Sequence, residues 1–122
     1  MHLDASSAEK SAAIVRSLVA REDRPSAIFS AQNMITIGAV RALREFDLQH
    51  RIALIGFDDF TLADLLDPGV AVVAQDPRTI GQRAAELLFS MMADPASART
   101  SLADVIVPTT LIMRPSWEIR PA

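Results

Sequence analysis

The chain has no cysteine, which excludes disulfides and thiol chemistry and fits a reducing cytoplasm. Tyrosine is absent too, and five Phe and one Trp are the whole aromatic complement. A base-stacking surface needs more than that. There is no basic block either: 12 Lys and Arg are scattered among 15 Asp and Glu, for a net charge of −3. That balance argues against a phosphate backbone as this chain's partner. No apolar run approaches the ~18 residues needed to cross a bilayer. Met1-His2-Leu3-Asp4 lacks the basic and apolar regions of a signal peptide. His2 and His50 stand singly, without a partner at metal spacing. What remains is a 122-residue chain, half of it hydrophobic. It has enough apolar material for one packed domain.

Residues 52–59, Ile-Ala-Leu-Ile-Gly-Phe-Asp-Asp, organise the rest. Four apolar residues, half of them β-branched, predict a strand buried on both faces. The run ends in Gly56, Phe57 and two adjacent carboxylates, Asp58 and Asp59. In open α/β sheets, ligands bind beyond the carboxyl ends of the strands, where loops converge and helix N-termini point. An acidic pair after a strand also serves as a helix cap or stays solvated, so the motif alone leaves both readings open.

Around this strand the pattern alternates. A helix is expected from Ser7, with Ala8, Ala12, Val15 and Val19 as its apolar stripe and Ser6 or Ser7 as its cap. Ser26–Ser30 predicts a short strand, and Met34 to Phe46 a helix that lays Ala39, Val40, Leu43 and Phe46 on the sheet. Residues 61–66 suit one or two helical turns, stopped by Asp67-Pro68-Gly69. Val70–Gln75 predicts a strand. Asp76-Pro77 then opens a helix with the stripe Ile80, Ala84, Leu87, Leu88 and Met91, ended by Asp94-Pro95. Residues 95–103 read as loop, and Asp104–Val107 and Thr110–Met113 as short strands around Pro108. The order implies an α/β fold with a mainly parallel sheet.

The ordered set of motifs resembles the effector-binding domain of lactose-repressor/purine-repressor (LacI-type) transcription regulators over residues 7–117. The matching pieces are Pro25-Ser-Ala-Ile-Phe29, the Asn33 loop, Gly38–Leu43, Ile55-Gly-Phe-Asp-Asp59, Asp67-Pro68 and Val72–Gln75. Gly81 with Ala84-Ala85 and Leu87-Leu88, and the terminal Leu111–Ser116, complete the set. The resemblance implies a Rossmann-like three-layer αβα lobe of the periplasmic-binding-protein type, present here as a partial domain. Residues 7–76 are then the core of the second lobe, 77–94 a helix crossing to the other lobe, and 104–117 the C-terminal strands. The helix-turn-helix that reads operator DNA, the hinge and most of the first lobe are expected outside this chain.

Site residues follow from the same resemblance. Asp58 matches the effector-binding acid, and an ionised carboxylate accepts from two adjacent sugar hydroxyls. Gln75 matches a second polar contact, and Gln32 and Asn33 fall in the loop that touches the effector. Gln32 departs from the family's usual Asn, which leaves the effector's identity open. Phe29 is expected as an apolar wall. Gln75 bonding backbone and Asn33 capping the next helix stand as alternatives. Asp59 is expected to brace the loop. Met34, Ile37, Arg41, Leu62, Leu65, Leu66 and Val70 match the surface through which the family dimerises. Trp117 and Met91-Met92 read as packing residues. The expected function is cytoplasmic, non-catalytic sensing of a small effector such as a carbohydrate, in a homodimer, with no cofactor, metal or membrane partner. A transport-type sugar-binding protein shares the fold. An enzyme using Asp58 and Asp59 is the third alternative, although no nucleophile turn or phosphate-binding Gly loop accompanies them.

Overall fold

The computed structural model describes residues 7–93 and 104–120. The chain forms two units, residues 1–74 with 111–122, and residues 75–110. In the first, Ser7 caps α1 (Ala8–Val19), its hydroxyl accepting from the Lys10 amide. The expected stripe of Ala8, Ala12, Val15 and Val19 is buried. Buried with it is Ser11, which donates its hydroxyl to the Ile35 carbonyl at 2.8 Å. β1 (Ala27–Ser30), α2 (Asn33–Glu45), β2 (Ala53–Phe57) and β3 (Ala71–Ala74) follow, each close to its expected span. β1, β2 and β3 pair in parallel, and β4 (Thr110–Ile112) completes the order β1-β2-β3-β4. This is the expected α/β class with a mainly parallel sheet. α2 packs against β1 and β2, and α1 packs against α2.

One glycine sets how closely the helices approach. A Cβ at Gly38 would collide with the Ala8 carbonyl oxygen and lie 2.7 Å from the Ser11 Cβ. The backbones of α1 and α2 therefore come together where only a hydrogen fits. Ala12, Val15, Ala39, Ala42 and Leu43 fill the seam and join Leu54 and Val72 in one core.

Several expectations are corrected. Phe46 does not pack on the sheet and is 46% exposed, because α2 ends at Glu45. Asp47 takes φ of 54°, and the Leu48 amide bonds back to the Leu43 carbonyl. This αL closure swings Leu48, 6% exposed, into the place expected for Phe46. Residues 61–66 form turns, not helix. Leu62 stands at φ of 72°, and only i→i−3 bonds form, from Ala63 to Phe60 and from Leu65 to Leu62. Residues 104–109 are not a strand; Pro108 has no N–H to donate to a ladder, and Val105 and Ile106 are exposed. Trp117, in the 3₁₀ turn Pro115–Trp117, is 43% exposed; its neighbour Ser116 goes inward instead.

In the second unit, α3 (Pro77–Ala93) starts as expected. Asp76 accepts from the Thr79 amide at 3.0 Å and from its hydroxyl at 2.6 Å. The ending at Asp94-Pro95 and the loop 95–103 lie outside the described residues. No residue of α3 is buried, so the reading of Met91-Met92 as core is corrected. Within this unit, Ile80, Arg83, Ala84 and Leu87 share an open groove of about 470 Å³ with Asp104, Val105 and Val107. Among the described residues, no helix is long and apolar enough to cross a membrane.

Candidate functional site

The carboxyl ends of β1 and β2 lie side by side, with Ser30 in register with Gly56. Their continuations carry Gln32 and Asn33 on one side and Asp58 and Asp59 on the other. A buried hydroxyl pair fixes the first turn: Ser30 Oγ and Thr36 Oγ1 are 2.7 Å apart, and Thr36 also donates to the Gln32 carbonyl at 3.0 Å. Thr36 is fully buried and leaves no room for a side chain opposite, since a Cβ at Gly56 would lie 2.7 Å from its Oγ1. Gln32 is the N-cap of α2 but makes no side-chain capping bond. The Asn33 carboxamide oxygen accepts from the adjacent Met34 amide at 2.6 Å. No acidic residue occupies the first turn of α2, so the positive end of its dipole faces this edge uncompensated from within the helix. Phe29, 62% exposed, stands beside the turn.

Asp58 leaves β2 at φ of 67°, in the left-handed region, while its amide donates to the Val73 carbonyl at 3.0 Å. Aspartate is among the few L residues that visit this region readily. The chain therefore turns sharply at Asp58 while its amide stays joined to β3.

Asp59 braces the loop, as expected. Both its oxygens accept from Arg114, at 2.8 and 3.0 Å, and Oδ1 also accepts from the Phe60 amide. The same Arg114 Nη1 donates to the Val70 carbonyl at 2.8 Å. The bidentate bond to Arg114 holds the Asp59 carboxyl below its ordinary range, and the guanidinium is raised in turn. A depressed carboxyl contributes stability above the ordinary carboxylate range and loses it as pH falls through its lowered folded-state value. Because Asp59 is about one-third exposed, solvent screening keeps this contribution to roughly 1 kcal/mol or less. In acid denaturation, Asp59→Asn is expected to be less stable than wild type at neutral pH, with the difference vanishing in strong acid. A gap that persists there would show the bracing is not ionic.

Ser116, 1% exposed, fastens the tail beside this brace. Its hydroxyl donates to the Leu54 carbonyl at 2.6 Å and accepts from the Ala71 amide at 2.8 Å, bridging β2 and β3. Ser116→Ala strands two buried backbone groups and is expected to cost about 1–3 kcal/mol. Urea unfolding measures it, and a loss within error of zero would mean the bridge is not formed in solution.

Phe29, Gln32, Asn33 and Asp58 thus lie at one edge of the first unit. Gln75 follows β3 directly and begins the second unit. Of the residues expected on a self-association surface, Met34, Leu62 and Leu65 are 42%, 59% and 74% exposed, and Arg41 is exposed as well. Ile37 and Leu66 are half-buried. Val70 is corrected: at 2% exposure it belongs to the core and offers no surface. The sequence reading missed Ser30, Thr36 and the partners of Arg114 and Ser116. Among the described residues, no group of three or more His, Asp or Glu is placed to hold a metal.

The family model of the periplasmic binding protein-like domain matches residues 2–117. The ribose operon repressor of Haemophilus influenzae is 26% identical over 108 residues, covering 87% of this chain and 32% of that protein. This chain therefore spans about a third of that relative's length. The lactose operon repressor of Rhizobium radiobacter is 33% identical over 103 residues, covering 83% of this chain and 88% of the relative. A LacI family transcriptional regulator from Enterococcus faecium, solved with bound ribose, superposes with a TM-score of 0.75 over 89% of this chain and 39% of its own, at 20% identity. That last likeness is one of fold.

Proposed function

The chain belongs to the periplasmic-binding-protein-like family of LacI-type transcription regulators, and we propose that it is the effector-sensing and dimerising part of such a regulator. The observation that carries this reading is the turn at Asp58. An aspartate in the left-handed region stands where β2 ends, and the neighbouring strand end, β1, leads into the N-terminus of α2. That geometry presents an acceptor for vicinal hydroxyls next to amide donors, which suits a small sugar. Asp58 is the principal contact, Gln32 and Asn33 supply amide groups, Phe29 supplies an apolar face, and Gln75, directly after β3, is a further polar contact. In this reading residues 7–76 form one lobe, 77–94 the crossover helix and 104–117 the returning segment. The chain acts without catalysis, in the cytoplasm, and any operator DNA is read by residues beyond it.

The effector class is tested with D-ribose and lactose, prompted by the names of the relatives. One lobe supplies only part of the contacts, so binding by this chain is expected in the millimolar range. Tight, micromolar binding would contradict a shared cleft.

Dimerisation rests on a different observation. Met34, Leu62 and Leu65 are exposed together with Arg41, and self-complementary pairing would cover them. Met34→Asp with Leu65→Asp is expected to convert a dimer to a folded monomer in sedimentation. Both positions are exposed, and an acid in the first turn of α2 suits the helix dipole. An unchanged sedimentation coefficient would place the interface elsewhere.

A further inference from the structure

We propose that Arg114 is a positioning residue for the effector site: its fork on Asp59 and its bond to the Val70 carbonyl hold Asp58 in the left-handed turn that presents its carboxylate. The proposal rests on the sensing role argued above. The effect on Asp58 passes through its neighbour Asp59. Residue 58 lies between two fixed points. Its own amide is tied to Val73. The next side chain is held at both oxygens by one guanidinium. A single bond would leave Asp59 free to swivel, whereas a bidentate fork fixes the plane of the carboxylate. The same Nη1 reaches the Val70 carbonyl, so one side chain spans from the loop after β2 to the start of β3.

Arg114 is itself set up for this. Its backbone is extended, at φ −140° and ψ 162°, as the following Pro115 requires. The next residue, Ser116, is locked to Leu54, Ala71 and Gly69. Only 15% of the Arg114 side chain is exposed, so water competes poorly for the fork. The C-terminal Arg-Pro-Ser segment thereby acts as a latch on a loop 55 residues away in sequence. Lysine carries the charge but lacks the planar fork, and so retains the attraction without the orientation.

The test uses the whole chain without ligand, reading amide exchange and φ-sensitive couplings at residue 58, and then D-ribose and lactose binding. In Arg114→Ala, exchange at Asp58 is expected to rise about tenfold or more relative to the Leu54 and Val72 amides, because local opening is no longer latched. Arg114→Lys should fall between. Val15→Ala, a core truncation in α1, controls for general destabilisation and should leave the ratio unchanged. Should Arg114→Ala fail to fold, Asp59→Asn gives the same readout, since it keeps the shape and removes the charge. An unchanged ratio and φ in the folded latch variant, or an equal change in Val15→Ala, overturns the proposal. If wild type binds neither sugar while residue 58 is still released, the effector reading suffers and the positioning role stands.

Discussion

Gly38→Val is expected to unfold the protein, or leave it marginal, at room temperature. A Cβ here would meet backbone atoms of α1, colliding with the Ala8 carbonyl oxygen and lying 2.9 Å from the Ala12 nitrogen. No rotamer change relieves a clash with backbone. α1 must lift from α2, breaking the bond from Ser11 to Ile35 and opening a seam that holds Ala12, Val15, Ala39 and Ala42. Overpacking of this kind costs ~3 kcal/mol or more, a large share of a typical ~5–15 kcal/mol total. Gly38→Ala makes the contest sharper. Alanine favours a helix over glycine by about 1 kcal/mol, yet the clash is already complete at Cβ. Urea unfolding should therefore show Gly38→Ala destabilised. A stabilised Gly38→Ala would mean that α1 and α2 are further apart than described.

The second large effect belongs to Asp58. Asparagine tolerates the left-handed region as aspartate does, so Asp58→Asn should keep the turn and the amide bond to Val73 while removing the charge. Hydrogen bonds to a charged acceptor are worth about 1.5–3 kcal/mol each, and two vicinal hydroxyls make two of them. Sugar affinity should fall by ~100-fold or more, which is loss of detectable binding for a millimolar site. Retained affinity in Asp58→Asn would remove the carboxylate from the contact set.

Much of the lobe was legible because its signals are local. The stripe of α1, its Ser7 cap and the Asp76 cap of α3 are each set by residues within a turn or two. The Asp58-Asp59 pair after a buried run marked the carboxyl end of a strand. The division of labour between the two acids came from the resemblance, since Arg114 is 55 residues from Asp59 and no periodicity connects them. Ser116 is likewise 62 residues from Leu54. A buried serine looks like any other serine in sequence. Val70 was misplaced for a related reason: the returning tail bonds to Gly69 and to the Val70 carbonyl, fixing the start of β3 inside the fold. Residues 61–66 carried helix-forming Leu and Ala, but a left-handed Leu62 overrode that preference. In α3 the stripe was legible, whereas what covers it is not written in the helix.

The central claim, that this lobe presents a sugar contact at Asp58, is most directly tested by a titration of the chain with D-ribose and with lactose, followed by amide chemical shifts. One of the two is expected to give saturable, millimolar shifts that concentrate at Asp58, Gln32, Asn33 and the first turn of α2, and that disappear in Asp58→Asn. Saturable shifts centred elsewhere, or shifts at these residues that persist in Asp58→Asn, would contradict it.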